Sequence, residues 1–365
     1  MAGQLDTERY YVASSWSLMW RKFVRHRVAL VAGILLAGLY VTASVAGFVA
    51  PYHKTDSRGK FALAPPMRVR ILDQGRLQRP FVYGLDRERD PVTLMFVYEE
   101  DRETIYPIRF FVRGDRYDFI GLFRTDLHLF GVDEPGTVFL FGTDQLGRDV
   151  FSRIMYGARI SLSVGFLGVV LSFIFGCLLG GVSGLFGGGI DTAIQRVIEF
   201  LISLPTIPLW MALAAAIPID WPPIRTYFMI TVILSILGWT ELARVVRGKV
   251  LELREEDYVM AASVSGSTAA RIITRHLLPN FIGYLIVHFT LAVPRMILAE
   301  TALSFLNVGL RPPVVSWGVA LQQASNVRTV AQNWWLLIPA LFVVAAVLCF
   351  NSLGDGLRDA ADPYQ

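Results

Sequence analysis

Long apolar stretches constrain this chain more than any other feature of its sequence. A transmembrane helix needs about 20 predominantly apolar residues, and the 365-residue chain contains several stretches of roughly that length. Only 18% of its residues are charged, whereas a soluble domain has about 25%. Backbone groups in lipid must be satisfied within the segment, so these stretches are expected to be helical. We therefore predict an all-α polytopic membrane protein with six transmembrane helices, at 28–50, 160–184, 193–217, 227–242, 281–303 and 334–350.

The distribution of Lys and Arg predicts how the chain is threaded through the bilayer. Twelve lie in residues 1–27, the loop 243–280 and the tail 351–365, against three in the short loops on the other side. Short loops rich in Lys and Arg stay in the cytoplasm. We therefore expect both termini and the 243–280 loop to be cytoplasmic. The first apolar stretch is too long for a signal-peptide core, so we expect it to be retained as a span.

Residues 51–140 form a long polar insert between the first two predicted helices, on the extracytoplasmic side. The insert holds 14 Lys or Arg and 14 Asp or Glu, so it is not a polybasic surface for lipid. Residues 67–72, 92–98 and 104–112 are alternating, β-branched or aromatic, which is typical of short strands. We predict a small β-rich lobe that serves either as a docking surface or as a spacer. The whole-chain charge of +4 gives no reason to expect a nucleic acid partner.

The segment from Asp257 to Pro279 is polar enough for water, although long apolar stretches flank it. Asp257 suits the N-cap of a short helix, and Gly266 suits the left-handed residue just past its end. Ser267 can cap a second helix, which Pro279 is expected to end. Small residues on the first helix would let another surface approach its backbone closely. The sequence predicts a shaped connector held at the membrane surface.

This connector resembles the EAA loop of ABC importer permeases, whose pattern is Glu-Ala-Ala, three residues, Gly, nine residues and Ile-x-Leu-Pro. Met260 stands in place of the family's Glu, and His276 in place of its Ile. The resemblance implies that residues 243–280 form the coupling loop to cytoplasmic ATPase subunits. The residues that it assigns to this coupling are Asp257, Tyr258, Met260, Ala261, Ala262, Gly266, Arg271, Leu278 and Pro279.

Three further motifs, in the same order as in the family, resemble its oligopeptide, dipeptide and nickel branch. They are GTDQLGRDVFSR at 142–153, ETALSFLNVGLRPPVVSWG at 300–318 and NSLGDGLRDAADP at 351–363. The resemblance covers about residues 12–50 and 141–363, and the insert lies outside the usual short form. It implies six helices of the type I ABC importer kind, in a permease core of residues 141–350, within a bacterial cytoplasmic (inner) membrane.

The resemblance also implies the function and the partners. The chain would be one of two homologous permease subunits of an importer that moves peptides or related small oligomers by alternating access. Two cytoplasmic ATPase subunits would bind ATP and Mg²⁺, and an extracytoplasmic substrate-binding protein would deliver the cargo. A nickel complex or an oligosaccharide is an alternative cargo.

Charged residues inside the predicted helices are candidates for the translocation path, because burying charge in a bilayer is costly. Arg295 and Glu300 in the fifth helix either line the path or pair with each other, or Glu300 reaches the outer surface. Glu199 in the third helix is a path candidate, although pairing with Arg196 or a neighbouring helix is expected. His288 is interpreted as a hydrogen-bonded structural residue.

The sequence offers little for catalysis by the chain itself. It has no GxxxxGK[ST] phosphate-binding loop, so any ATP would be bound by another polypeptide. It also has no HExxH motif, Ser-His-Asp set or paired carboxylates. Cys177 and Cys349 lie in apolar stretches and are expected to be buried, with no metal site. A membrane-embedded enzyme and a channel remain alternatives, and stimulation of ATPase activity by substrate and binding protein would separate the three classes.

Overall fold

The computed structural model describes residues 15–73, 76–89, 91 and 96–361. Parts of the predicted N-terminal segment, of the 92–98 strand and of the tail lie outside the described residues. The α-helices of the described residues are α1 (Ser15–Arg25), α2 (Arg27–Ser44), α3 (Ala46–Val49), α4 (Val150–Phe186), α5 (Gly188–Ser203), α6 (Thr206–Ala215), α7 (Pro223–Leu253), α8 (Asp257–Val264), α9 (Ala269–Arg271), α10 (Ile282–Phe305), α11 (Trp317–Leu321), α12 (Val327–Gln332) and α13 (Ile338–Ala361). The strands are β1 (Arg70–Asp73), β2 (Arg76–Arg89), β3 (Phe96–Pro107), β4 (Arg109–Phe119) and β5 (Phe123–Gly131).

Five helical stretches of the described residues are long and apolar enough to cross a membrane. A sixth crossing results if the bent pair formed by α5 and α6 is counted as one span. The chain is therefore a helical polytopic membrane protein. The five stretches are α2, α4, α7, Ala269–Phe305 and Trp334–Ala361.

The predicted third helix, 193–217, is not one straight element. The helices α5 and α6 meet at an angle of 88°, and the break falls at Leu204 and Pro205. Leu204 is extended, with φ −83° and ψ 135°, because a residue that precedes proline is pushed out of the helical region. Pro205 has no N–H to continue the helix, so α6 starts afresh after it.

Several helices run past the boundaries predicted from polarity. The helix α7 continues to Leu253, inside the predicted loop 243–280, and α13 continues to Ala361, inside the predicted tail 351–365. The helix α4 begins ten residues before the predicted start at 160. Charged residues such as Lys and Glu are good helix formers, so leaving the apolar stretch does not end a helix.

The chain forms two compact units, of which the first comprises the described residues of Met1–Ala37, Val164–Ala299 and Ala345–Gln365. Glycines of α4 allow close packing here. A β-carbon on Gly180 would lie 2.5 Å from the Ala243 carbonyl oxygen, and one on Gly184 would lie 2.8 Å from the Val250 side chain. Glycine at these two positions therefore lets α7 approach α4 closely. The core beside it consists of Cys177, Leu242, Val246, Val250, Val259, Ile272, Ile273, Leu277, Phe281 and Leu285.

The second unit comprises Gly38–Ser163 and Glu300–Val344 and contains the insert. Strands β1, β2 and β3 form an antiparallel sheet, and β4 and β5 form an antiparallel hairpin. The predicted β-rich insert is therefore confirmed, although its strands differ. The predicted strand 104–112 is divided into β3 and β4 at Ile108, which is buried. Strand β2 was not predicted, because it contains Pro80 and many charged residues, which are uncommon in strands. The lobe's core consists of Tyr52, Met67, Val82, Ile108, Phe130, Val138 and Phe139.

Candidate functional site

The predicted connector contains the short helix α8, which is anchored at one side and open on the other. Val259 is buried in the core of its unit. The Tyr258 hydroxyl accepts a hydrogen bond of 3.0 Å from the Asn280 side chain. By contrast Met260 is half exposed and Val264 is 90% exposed. An exposed apolar face on a firmly held helix is suited to contact with another protein.

The C-terminal end of α8 agrees with the prediction, whereas its N-terminal end differs from it. Gly266 has φ +78°, so the left-handed residue expected there is confirmed. A β-carbon on Gly266 would meet no atom within 4 Å, so only the backbone conformation favours glycine. The N-cap is Glu256 rather than Asp257, which is the first helical residue.

The second half of the connector differs from the prediction in two respects. Thr268, not Ser267, caps the next helix, and its hydroxyl accepts from the Arg271 amide at 3.4 Å. Pro279 does not end that helix. The chain passes through a π-helix at Ile272–Leu277 and a 3-10 turn at Leu278–Phe281 into α10. The wider π turn relieves the clash and the lost hydrogen bond that a proline imposes on an α-helix. Arg271 and Pro279 are exposed, and Leu278 is half-buried.

A cavity of about 1100 Å³ lies within the first unit. That volume lies just above the range of about 300–1,000 Å³ for small-molecule sites. Most of its lining is apolar, and a few polar and aromatic groups face into it. These are Ser172, Thr206, Trp210, Thr240, Glu241, Tyr284, His288, Arg295 and Arg358.

Arg295 lines this cavity and forms an ion pair with Glu241 of α7. The Arg295 Nη1 atom lies 3.1 Å from the Glu241 Oε2 atom, and both side chains are well exposed. Such an exposed pair contributes little to stability, so both charges are available to a ligand. Glu241 was missed, although the rule that flagged Arg295, a charge within a predicted span, applies to it equally.

His288 also faces the cavity. Its ring stacks against that of Tyr284 at 6.0 Å between centroids. Within the described part of the chain, no hydrogen bond from the His288 ring accompanies this contact. The interpretation of His288 as a hydrogen-bonded structural residue therefore stays a prediction.

Glu300 is fully buried in the second unit and does not line the cavity. Its two carboxylate oxygens accept hydrogen bonds from Ser161 at 3.0 Å and from Ser304 at 2.8 Å. The Ser161 hydroxyl in turn accepts from the Trp317 amide at 3.1 Å. Glu300 therefore ties the segment before α11 to α4. Glu300 therefore neither reaches the surface nor pairs with Arg295, which pairs with Glu241. Its role in the translocation path stays a prediction.

Glu199 makes the local contact that was expected. Its carboxylate lies 2.8 Å from the Arg196 guanidinium, three residues away on α5, and both side chains are exposed. Glu199 is not among the residues that line the cavity.

The GTDQLGRD segment is a tightly bonded loop in front of α4. Asp144 accepts from the Arg148 guanidinium at 2.7 Å and from the Gln323 amide at 3.1 Å. Asp149 accepts from the Ser152 amide at 2.7 Å and from its hydroxyl at 2.6 Å, and so caps α4. Burial raises the pKa of Asp149 to about 7, against the opposing effect of these two bonds. The segment is thus a structural cap of α4.

Comparison with known proteins identifies the family. The model of binding-protein-dependent transport system inner membrane components matches residues 168–364, more than half of the chain. The model of the N-terminal TM domain of oligopeptide transport permease C matches residues 14–66. Residues 67–167, which hold most of the insert, lie outside both matches.

Individual relatives agree with the family models. The dipeptide transport system permease protein of Bacillus subtilis is 44% identical over 230 residues, which is 63% of this chain and 70% of the relative. The oligopeptide transport system permease protein of the same organism is 36% identical over 249 residues, which is 68% of this chain and 78% of the relative.

Among solved structures, a chain of the inward-facing MetNI methionine ABC transporter matches with a TM-score of 0.42 and 17% identity. The match covers 57% of this chain and 96% of that one, and a likeness of that degree supports no statement about conformation. The resemblance to ABC importer permeases is confirmed by the family models and the relatives. The chain therefore belongs to the family of inner membrane components of binding-protein-dependent transport systems, as a permease subunit.

Proposed function

We propose that this permease moves peptides across the bacterial cytoplasmic membrane by alternating access, with both termini in the cytoplasm. The main support for this proposal is the cavity of the first unit. It presents a guanidinium from Arg295 and a carboxylate from Glu241 about 3 Å apart, beside Trp210, Tyr284 and His288. A zwitterionic peptide offers the complementary carboxylate, ammonium and apolar groups. The peptide permeases among the relatives support this cargo class.

The partners follow from the same proposal. A second homologous permease subunit supplies the other half of the path, and an extracytoplasmic binding protein delivers the cargo. Two cytoplasmic ATPase subunits bind ATP and Mg²⁺ and dock on the exposed face of α8, around Met260 and Val264. ATP-driven closure of the ATPases then moves α8 and, through Val259, the helices packed in the same core.

The test is ATP-dependent peptide uptake into proteoliposomes that contain the complete complex. Arg295→Ala should lower uptake several-fold, because the cargo loses its cationic partner. Arg196→Ala, which removes an equally exposed arginine outside the cavity, should leave uptake near normal. Equal uptake by the two variants would show that Arg295 does not contribute to the translocation path.

The cargo itself is identified by native mass spectrometry of the binding protein purified with its ligand. Peptides are the expected ligands. A nickel complex or an oligosaccharide would contradict the cargo class, while leaving the permease assignment intact.

A further inference from the structure

The hairpin formed by β4 and β5 ends in an apolar tip. The rings of Phe119 and Phe123 stack at 5.3 Å between centroids. Ile120 and Leu122 are exposed, and Ile120 has φ +52° in the turn beside Gly121. A hairpin turn in water usually carries Asn, Asp, Gly or Ser, and β-branched residues seldom adopt a positive φ. A turn built from large apolar residues therefore indicates surroundings other than water.

Contacts along the hairpin define its direction relative to the chain that follows α2. The Tyr117 ring packs directly on Gly47. Farther from the tip, the Asp115 carboxylate accepts a hydrogen bond of 3.2 Å from the His53 amide. Phe111 of the hairpin also meets Phe48, at 6.2 Å between ring centroids. The base of the hairpin lies at the start of α4, where Phe130 meets Phe151 at 5.7 Å, whereas Arg159, about two turns farther along α4, bonds the end of α2. The tip is consequently directed back toward Ser44, where α2 ends.

A buried histidine fixes this direction. The Nδ1 atom of His128 lies 2.6 Å from the Ala50 carbonyl oxygen, and its Nε2 atom lies 2.9 Å from that of Asp115. The end of α2 is held as well, since the Arg159 guanidinium donates to the Ala43 and Ser44 carbonyls at 3.2 and 2.6 Å. All of these residues belong to the second unit, so the hairpin is positioned firmly with respect to residues 38–44.

Simple lengths then place the tip at the level of the membrane. From Tyr117 to Phe119, where β4 ends, the strand advances about 7 Å, at about 3.3 Å per residue, and the turn lies beyond it. From Gly47 back to Ser44 a helix advances only about 5 Å, at 1.5 Å per residue. The tip therefore reaches at least the level of Ser44, where α2 ends. That helix is long and apolar enough to span a bilayer, and Val41 near its end is exposed.

The polar groups beside the tip suit the headgroup layer of a bilayer. Arg116 and Arg124 are exposed on the two strands just behind the aromatic pair, and Arg124 lies 3.3 Å from Asp118. Arg at this depth keeps its charge in the headgroup region while its stem lies on apolar surface. Apolar residues at the tip with charged residues behind them match the polarity gradient of one leaflet.

We propose that the tip of the β4–β5 hairpin is immersed in the lipid leaflet at the Ser44 end of α2 and anchors the insert to the bilayer. The immersed residues are Phe119, Ile120, Leu122 and Phe123. The apolar surface of the tip contacts lipid at the boundary between headgroups and acyl chains. This lipid is continuous with the lipid that surrounds α2.

The test measures the depth of position 122 in the full-length chain reconstituted in nanodiscs. Cys177 and Cys349 are replaced by Ser, and Leu122→Cys carries a nitroxide label. Collision with oxygen, which is concentrated in hydrocarbon, is compared with collision with a water-soluble nickel chelate. The oxygen-to-nickel accessibility ratio should be several-fold higher than at the control site Leu77→Cys. The two leucines are matched, since Leu122 is 78% and Leu77 is 79% exposed, but Leu77 lies on the other sheet.

Two results would overturn the proposal. A ratio at position 122 equal to that at position 77 would place the tip in water. Low accessibility to both reagents would mean that the tip is covered by protein, either a second copy of the chain or another subunit. The measurement reports depth and not sidedness or cargo, so its failure is distinct from failure of the proposed transport function.

Discussion

At the scale of single residues, Gly266 is the position where one β-carbon has the clearest consequence. Its φ of +78° costs a residue with a β-carbon about 1–2 kcal/mol. Space is not the obstacle, because a β-carbon there would meet no atom within 4 Å. Gly266→Val should express near normally and keep basal ATPase activity in the complex, but lose most uptake. Gly266→Ala should be milder and Gly266→Asn milder still, because Asn tolerates the left-handed region.

A second glycine gives the matched control for this series. Gly248 of α7 likewise has open space around its missing β-carbon but an ordinary φ. Gly248→Val should therefore transport like the wild type in the same proteoliposome assay. If Gly266→Val also transports normally, or if uptake by Gly266→Asn is lower than uptake by Gly266→Val, the connector does not depend on a left-handed residue.

Asp149 gives a prediction about pH. Its pKa is about 7 in the folded chain and about 3.9 in an unfolded one. Between those values the folded state binds more protons, so the free energy of unfolding falls as pH rises. Thermal unfolding in nanodiscs should occur at lower temperature at pH 8 than at pH 5. Asp149→Asn should flatten this trend, whereas Asp133→Asn, at an exposed carboxylate paired with Arg109, should not.

At the scale of elements, Phe130 of the β4–β5 hairpin belongs to the core that holds the insert together. Phe130 is 9% exposed and belongs to the lobe core, while its cross-strand partner Phe110 is 62% exposed. Phe130→Ala should destabilise the lobe by about 3–5 kcal/mol, through lost burial and the cavity left behind. Phe110→Ala should change stability by about 0.5 kcal/mol or less. Thermal unfolding of the two variants in nanodiscs compares them, and equal losses would contradict the core assignment.

At the scale of the whole molecule, the bias of Lys and Arg predicts the sidedness of the chain. In a background without Cys177 and Cys349, Arg89→Cys should react with an impermeant thiol reagent added to intact cells. Ser267→Cys should react only after the cells are opened. The reverse pattern would invert the proposed topology and place α8 where cytoplasmic ATPases could not reach it.

Local chemistry made part of this protein predictable from its sequence. The apolar stretches predicted a polytopic helical protein, because lipid leaves a spanning backbone little alternative to a helix. The left-handed Gly266 and the pairing of Arg196 with Glu199 were also predictable, since each depends on neighbours within one turn. The family motifs placed the chain among importer permeases, because they occur in unbroken local runs.

Only the tertiary structure decided which distant groups meet. Arg295 pairs with Glu241, 54 residues away, and Glu300 with Ser161, 139 residues away. Local rules flagged the charges but could not choose their partners, because that choice depends on which helix faces approach each other. The direction of the β4–β5 hairpin likewise depends on His128 reaching Ala50, 78 residues away. Sequence determined the membrane-spanning elements, whose physics is local, and packing determined the cavity, the buried carboxylate and the apolar tip.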